Sequence, residues 1–297
     1  MSENDESNVI RTFWHGPDLS VYEELALASF VKLGHRVQLF SYRELRPIPG
    51  VERVDAACIL PEAEVFSYQE GPGRGSFAAF ANWFRYKMLS ELGGTWIDTD
   101  VLCLKPLSAL PSPCVGWQDG ATINSAIMRF PPGHFVTKEL YDRAKKLGRS
   151  IQWGQAGPDL LTEVVWPYRD EVAIMPREAF YPLHWTDAWK IISAKESENC
   201  EALTSGSYCV HWWNEILRQL GLGKDTMPPV GSYLYRRACK ILGENGFEAW
   251  PADEIQTRIT EYLASRRLPQ LSTGTWKQRL VNAGPFEFVS PSSRSPR

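Results

Sequence analysis

The chain predicts an α/β fold, and three observations predict it. Helical and extended stretches alternate from Val9 to Phe130, glycine or proline stands at most of the joins, and 43% hydrophobic residues over 297 positions can bury a substantial core. Val9 to Trp14 reads as the first strand. Ser20 with Glu23 gives a capping-box signature, so a helix is expected over Val21 to Leu33, ended by Gly34. His35 to Phe40 follows as a second strand, and after the proline- and glycine-rich Arg46 to Gly50 comes a short strand near Val51 to Val54.

Glu70 to Gly75 is a glycine-rich approach to a central helix, in which Phe77, Phe80, Phe84, Met88 and Leu92 form an apolar stripe. Gly93 and Gly94 stop that helix, and Thr95 to Ile97 is β-prone. Val101 to Leu104 continues extended until Lys105 and Pro106. Cys114 to Gln118 and Thr122 to Phe130 are further strands. Tyr233 to Leu242 and Glu254 to Arg266 read as helices, and SPSSRSPR at Ser290 to Arg297 has the composition of a disordered tail.

The chemistry concentrates in GGTWIDTDV, Gly93 to Val101. Asp98 and Asp100 stand at i and i+2, and in extended backbone they would face the same side, where two carboxylates can hold a hard divalent cation that in turn binds a diphosphate. Asn82 and Arg85, three residues apart on the central helix, share a face and bring an amide and a guanidinium fork toward the same strand end.

The run SFAAFANWFRYKMLSELGGTWIDTDVLCLKPL, Ser76 to Leu107, resembles the donor-sugar segment of glycosyltransferases with the DXD sugar-binding motif. The group is family thirty-two-like and includes alpha-galactosyltransferases and yeast-type mannosyltransferases. VIRTFWHG, NSAIMRFPPGH, GPDLLTEVV and YCVHWWNEILR are similar to other segments of that family, in the same order, from about Val9 to about Leu220. The resemblance implies a GT-A-type nucleotide-sugar-binding fold with a mixed, mainly parallel central sheet, in a domain over residues 1–245 followed by a helical extension and tail over 246–297. It implies a retaining hexosyltransferase that uses a nucleotide-sugar donor, UDP-sugar favoured, a glycan or glycolipid acceptor, and Mn2+ or Mg2+.

Carried over by position, the resemblance makes Asp98, Asp100 and Arg85 catalytic. Asp98 would contact ribose or donor sugar, Asp100 would ligate the metal with Asp98 and His211, and Arg85 would hydrogen-bond the sugar. Trp14 would lie against the nucleotide base, and Asn82, Asn124 and Asp159 would bind substrate. Asn82 departs from the family pattern, which has an aspartate there. An amide still bonds hydroxyls but carries no charge, which opens two alternatives: a changed donor preference, or a catalytically impaired nucleotide-sugar- or glycan-binding protein. A metal-dependent phosphohydrolase using the same carboxylates is a third reading.

A net charge of −3 gives no bulk attraction for nucleic acid. No run approaches the roughly 20 apolar residues of a membrane span, which leaves room only for peripheral membrane contact, and the acidic start MSENDESNVI is unlike a secretory signal. A cytoplasmic protein is therefore expected. The six cysteines form no C-x-x-C pair and are expected as reduced thiols.

Overall fold

Seven strands in the order β3-β2-β1-β4-β7-β6-β8 form the central sheet of a computed structural model that describes residues 9–71, 73–243 and 248–267. In chain order the elements are β1 Ile10–Phe13, α1 Val21–Lys32, β2 Val37–Ser41, β3 Val51–Asp55, α2 Ala78–Leu92, β4 Gly94–Ile97, β5 Val101–Cys103, β6 Cys114–Trp117, β7 Ile123–Phe130, α3 Phe135–Leu147, α4 Leu160–Val165, β8 Ala173–Met175, α5 Arg177–Phe180, α6 Ser197–Thr204, β9 Cys209–His211, α7 Asn214–Gln219, α8 Tyr233–Leu242 and α9 Ala252–Arg267. β1 to β4 pair in parallel, β7 runs against both β4 and β6, and β8 rejoins β6 in parallel, so the sheet is mixed and mainly parallel as expected. β5 and β9 form a separate antiparallel pair. The chain divides into two units, Met1–Ile259 and Thr260–Arg297; the nine strands among the described residues lie in the first. The tail expected at Ser290 to Arg297 lies outside the described residues.

Alternation along the strands feeds two cores. Phe40, Trp96 and Met128 point into one with Phe80, Phe84, Leu140 and Leu161, and their neighbours Leu39, Ile97 and Ile127 point into the other with Leu27, Phe30 and Tyr181. Burial on both faces explains why the strands read as nearly continuous apolar runs.

α2 is buried more widely than its expected stripe, because Trp83, Tyr86 and Leu89 are covered as well. Asn82 and Arg85, the polar residues of that helix, are therefore 5% and 4% exposed and need partners inside the protein. Gly93 caps α2 at φ 64° and could not be another residue: a Cβ there would sit 2.5 Å from the backbone nitrogen of Pro132.

Candidate active site

α2 turns at Gly93 into β4, whose C-terminal end delivers Asp98 beside the helix it has just left. One guanidinium nitrogen of Arg85 donates to Asp98 Oδ1 at 2.8 Å, and the other donates to the Ser125 carbonyl on β7. Trp96 Nε1 also donates to Asp98 Oδ1, at 2.7 Å, and Arg85 lies over the Trp96 ring at 4.8 Å. Both bonds fall on Oδ1, which leaves Oδ2 of Asp98 for a ligand. Arg85 is thus first a brace for Asp98; its Nε is buried without a hydrogen-bond partner.

The expectation that Asp98 and Asp100 converge through extended backbone is corrected. Asp98 follows the last β4 residue, and the Val101 N–H donates to the Asp98 carbonyl at 3.2 Å, so the two aspartates flank a tight turn between β4 and β5. The turn swings Asp100 toward β9. There Asp100 Oδ2 accepts from His211 Nε2 at 3.0 Å and from the Asn214 backbone N–H at 2.8 Å, while its carbonyl accepts from Trp212 N–H. Oδ1 of Asp100 is left over, the mirror image of Asp98.

Asp98, Asp100 and His211 consequently offer one ligand atom each within 4.8 Å of one another. His211 is 6% exposed; its Nε2 faces Asp100, and its Nδ1 is buried without a hydrogen-bond partner, which carries a desolvation cost. Two carboxylate oxygens with one imidazole nitrogen fit manganese well; magnesium, which favours oxygen throughout, fits less well.

The two carboxylates are shifted in opposite directions. Burial pushes Asp98 above the usual carboxylate range despite Arg85, and the nearby Asp100 charge adds to the rise. Burial also opposes ionisation of Asp100, but His211, the Asn214 N–H and Lys224 outweigh it and hold Asp100 below that range.

Trp14 immediately follows β1, is partly exposed, and donates from Nε1 to the Pro17 carbonyl at 2.6 Å. The Lys224 ammonium stands 5.7 Å from its ring centroid and is ion-paired with Glu23, whose side chain is 1% exposed. Asn82 faces Gly157 and Ser125: a Cβ on Gly157 would lie 3.3 Å from its amide nitrogen and 3.5 Å from Ser125 Oγ. Asp159 stands just before α4 and caps nothing with its side chain; burial raises its carboxyl pKa, and Tyr68 lies within electrostatic reach of both Asp159 and Arg85. Asn124 is engaged locally, donating to Gln118 Oε1 at 2.7 Å and accepting from the Ala126 N–H at 2.7 Å, which braces the β6–β7 hairpin.

In extended backbone His211 and Trp213 would share one face. Trp213 has φ 57°, a left-handed conformation, so the strand ends at His211; the two rings still meet, with centroids 4.2 Å apart. The sequence reading missed Ser125, Gly157, Tyr68 and Lys224. Lys224 lies in the irregular segment after α7, where periodicity gives no signal, although its GLGKD context marks a turn.

Sheet and turn together define a DXD-type sugar-binding region on an α/β fold. Residues 62–116 match the family model described as glycosyltransferase sugar-binding region containing DXD motif, and residues 130–243 match the alpha 1,4-glycosyltransferase conserved region. The first match contains Asn82, Arg85, Asp98 and Asp100; the second contains Asp159, His211 and Lys224. The resemblance to DXD-motif glycosyltransferases is borne out.

Lactosylceramide 4-alpha-galactosyltransferase of Gorilla gorilla gorilla is 32% identical over 143 residues, 44% of this chain and 43% of that protein. Alpha-1,4-N-acetylglucosaminyltransferase of Homo sapiens is 23% identical over 212 residues, 63% of this chain and 58% of that protein. The chain thus spans less than two thirds of the length of either relative. Among solved structures, PaToxG glycosyltransferase aligns over 80% of this chain and 86% of its own, with 11% identity and a TM-score of 0.42. Among the described residues no helix is long and apolar enough to cross a membrane.

Proposed function

We propose that this chain is a metal-dependent, retaining glycosyltransferase that moves a hexose from a nucleotide-diphosphate sugar, UDP-sugar favoured, to a hydroxyl of a glycan or glycolipid. The observation that carries the proposal is the convergence of Asp98, Asp100 and His211, with Arg85 braced on Asp98. An α-linking transferase is the activity named for both relatives quoted above. When bound, a divalent cation held by these three residues would supply Lewis-acid neutralisation of the departing nucleoside diphosphate.

The protein's own groups position the donor. Arg85 fixes the orientation of Asp98 through Oδ1, so Oδ2 meets ribose or sugar hydroxyls at a set angle. Lys224, beside Trp14 and close enough to Asp100 to lower its pKa, adds positive charge on the side where the diphosphate would lie. The partly exposed Trp14 ring offers a surface for the base. Asn82, with Gly157 leaving room in front of it, offers both a donor and an acceptor to sugar hydroxyls. Retention follows from attack on the leaving-group face: the bond from the anomeric carbon to the phosphate oxygen breaks, the bond to the acceptor oxygen forms, and the acceptor proton passes to the departing phosphate.

A panel of nucleotide sugars with manganese, with and without simple sugar acceptors, tests this function. The expected outcome is slow donor hydrolysis without acceptor and transfer with one. Hydrolysis of phosphate esters that lack a sugar would instead favour a phosphohydrolase, and nucleotide binding without turnover an impaired family member. Asn82→Asp belongs in the same panel. The substitution replaces a buried donor–acceptor with an acceptor, so the relative rates with different donors should change by about fivefold, the worth of a sugar hydrogen bond of ~1 kcal/mol, while affinity for free nucleoside diphosphate, which carries no sugar, stays nearly unchanged. Identical donor rankings for both proteins would remove Asn82 from the sugar site.

A further inference from the structure

Two of the six cysteines stand opposite each other. β5 and β9 pair in antiparallel register with Cys103 facing Cys209. The backbone bonds fix which kind of pair this is. Trp212 N–H donates to the Asp100 carbonyl, and Leu104 N–H donates to the Tyr208 carbonyl, so the hydrogen-bonded pairs fall at Asp100–Trp212, Leu102–Val210 and Leu104–Tyr208. Cys103–Cys209 is therefore a non-hydrogen-bonded pair. Cα atoms in such pairs stand roughly 4.5 Å apart with side chains drawn together, inside the span of about 4.4–6.8 Å that a disulfide bridges. The two thiols are close enough for each to shift the other's pKa, while the Cys103 Sγ donates to the Lys105 carbonyl at 3.3 Å.

We infer that Cys103 and Cys209 form a modification site: a cross-strand disulfide that closes when the chain folds in the presence of a small-molecule disulfide oxidant. In the step, one cysteine thiolate attacks a sulfur of glutathione disulfide and expels one glutathione thiolate. The second cysteine attacks the mixed disulfide and expels the other. The two cysteines lose two electrons and two protons, and two glutathione thiols carry them away.

Burial shapes when this happens. Cys103 is 4% exposed and Cys209 fully buried, so exchange is slow in the folded protein and belongs to folding, as β9 docks on β5. Burial pushes the Cys103 thiol up, but the neighbouring Cys209 and His35 outweigh it and bring it down to about 7, a value suited to exchange near neutral pH. The other cysteines lack this arrangement: Cys58 is exposed beyond β3, Cys114 and Cys200 are buried with thiols pushed up to about 12, and Cys239 lies on α8. The consequence is local to the site. β5 begins directly after Asp100 and β9 ends at His211, so the bond would tie together the two strands that bring this carboxylate and imidazole into contact. The disulfide itself does not depend on the catalytic reading.

The test is oxidative refolding of the full chain. Reduced, unfolded protein is refolded in a mixture of reduced and oxidised glutathione, trapped by alkylation, and digested without reductant. The expected result is a peptide pair joined through Cys103 and Cys209, a fall of two in free thiols from the six of the reduced chain, and a thermal midpoint roughly 5–15 °C above that of the reduced protein, because the bond closes a loop of about a hundred residues. Cys103→Ala and Cys209→Ala should each keep their remaining thiols free under the same conditions. Folded wild-type protein with Cys103 and Cys209 separately alkylated would overturn the inference, as would equal thiol loss in the variants. Should a variant fail to fold, the wild-type peptide map decides alone.

Discussion

Asp100→Ala is expected to lower turnover at least roughly a hundredfold, which corresponds to ~3 kcal/mol of transition-state stabilisation. The size follows from how many jobs the carboxylate has. Its Oδ2 receives the His211 ring and the Asn214 N–H at the start of α7, and its Oδ1 is left for a cation. Under the proposed function alanine removes the carboxylate that would ligate the metal and also releases His211 Nε2, so both would be lost to the site at once. Steady-state rates in saturating manganese measure the effect. Circular dichroism of the variant separates it from unfolding. A folded Asp100→Ala protein within threefold of wild-type turnover would remove Asp100 from the metal site.

Arg85 should give the second large effect, with a different signature. Its fork joins two elements, Asp98 beyond β4 and the Ser125 carbonyl on β7, from a side chain only 5% exposed. Arg85→Ala strands a half-buried carboxylate and an unpaired carbonyl, and removing one partner of a buried ion pair costs about 3 kcal/mol of stability. Arg85→Lys keeps the charge but cannot reach both acceptors, because an ammonium is a point and a guanidinium a plane. The lysine variant should therefore fold with a smaller loss of about 1 kcal/mol, yet lose tenfold or more in kcat/KM as Asp98 rotates out of its set orientation. Denaturant unfolding and donor kinetics on both variants check this. If Arg85→Lys matches wild type in kcat/KM, the fork is structural decoration and Asp98 is oriented by Trp96 alone.

What the sequence made legible was local. The helix at Ala78–Leu92, its glycine stop and the strand leading to Asp98 follow from periodicity and φ requirements within one stretch of chain, and they place Asn82, Arg85 and Asp98 together. The partner of Asp100 was not legible from local pattern. β9 is three residues long and joins β5 across about a hundred positions; no pattern that short has a period, and only the resemblance pointed to His211. The same limit hid β8. The geometry of the aspartate pair was misread because i, i+2 spacing faces one side only in a strand, and here a turn intervenes, stabilised by Val101 N–H on the Asp98 carbonyl. Asn124 is the opposite case: a polar residue in a family-like segment whose amide also donates to Gln118 beside its own hairpin.

The central claim, that Asp98, Asp100 and His211 bind a cation which in turn holds a nucleoside diphosphate, meets its most direct test in calorimetric titration of UDP into the protein with manganese and again in excess chelator. The account predicts binding with manganese and at least a hundredfold weaker binding without it, a difference of ~3 kcal/mol. Equal affinity in the two titrations would contradict it.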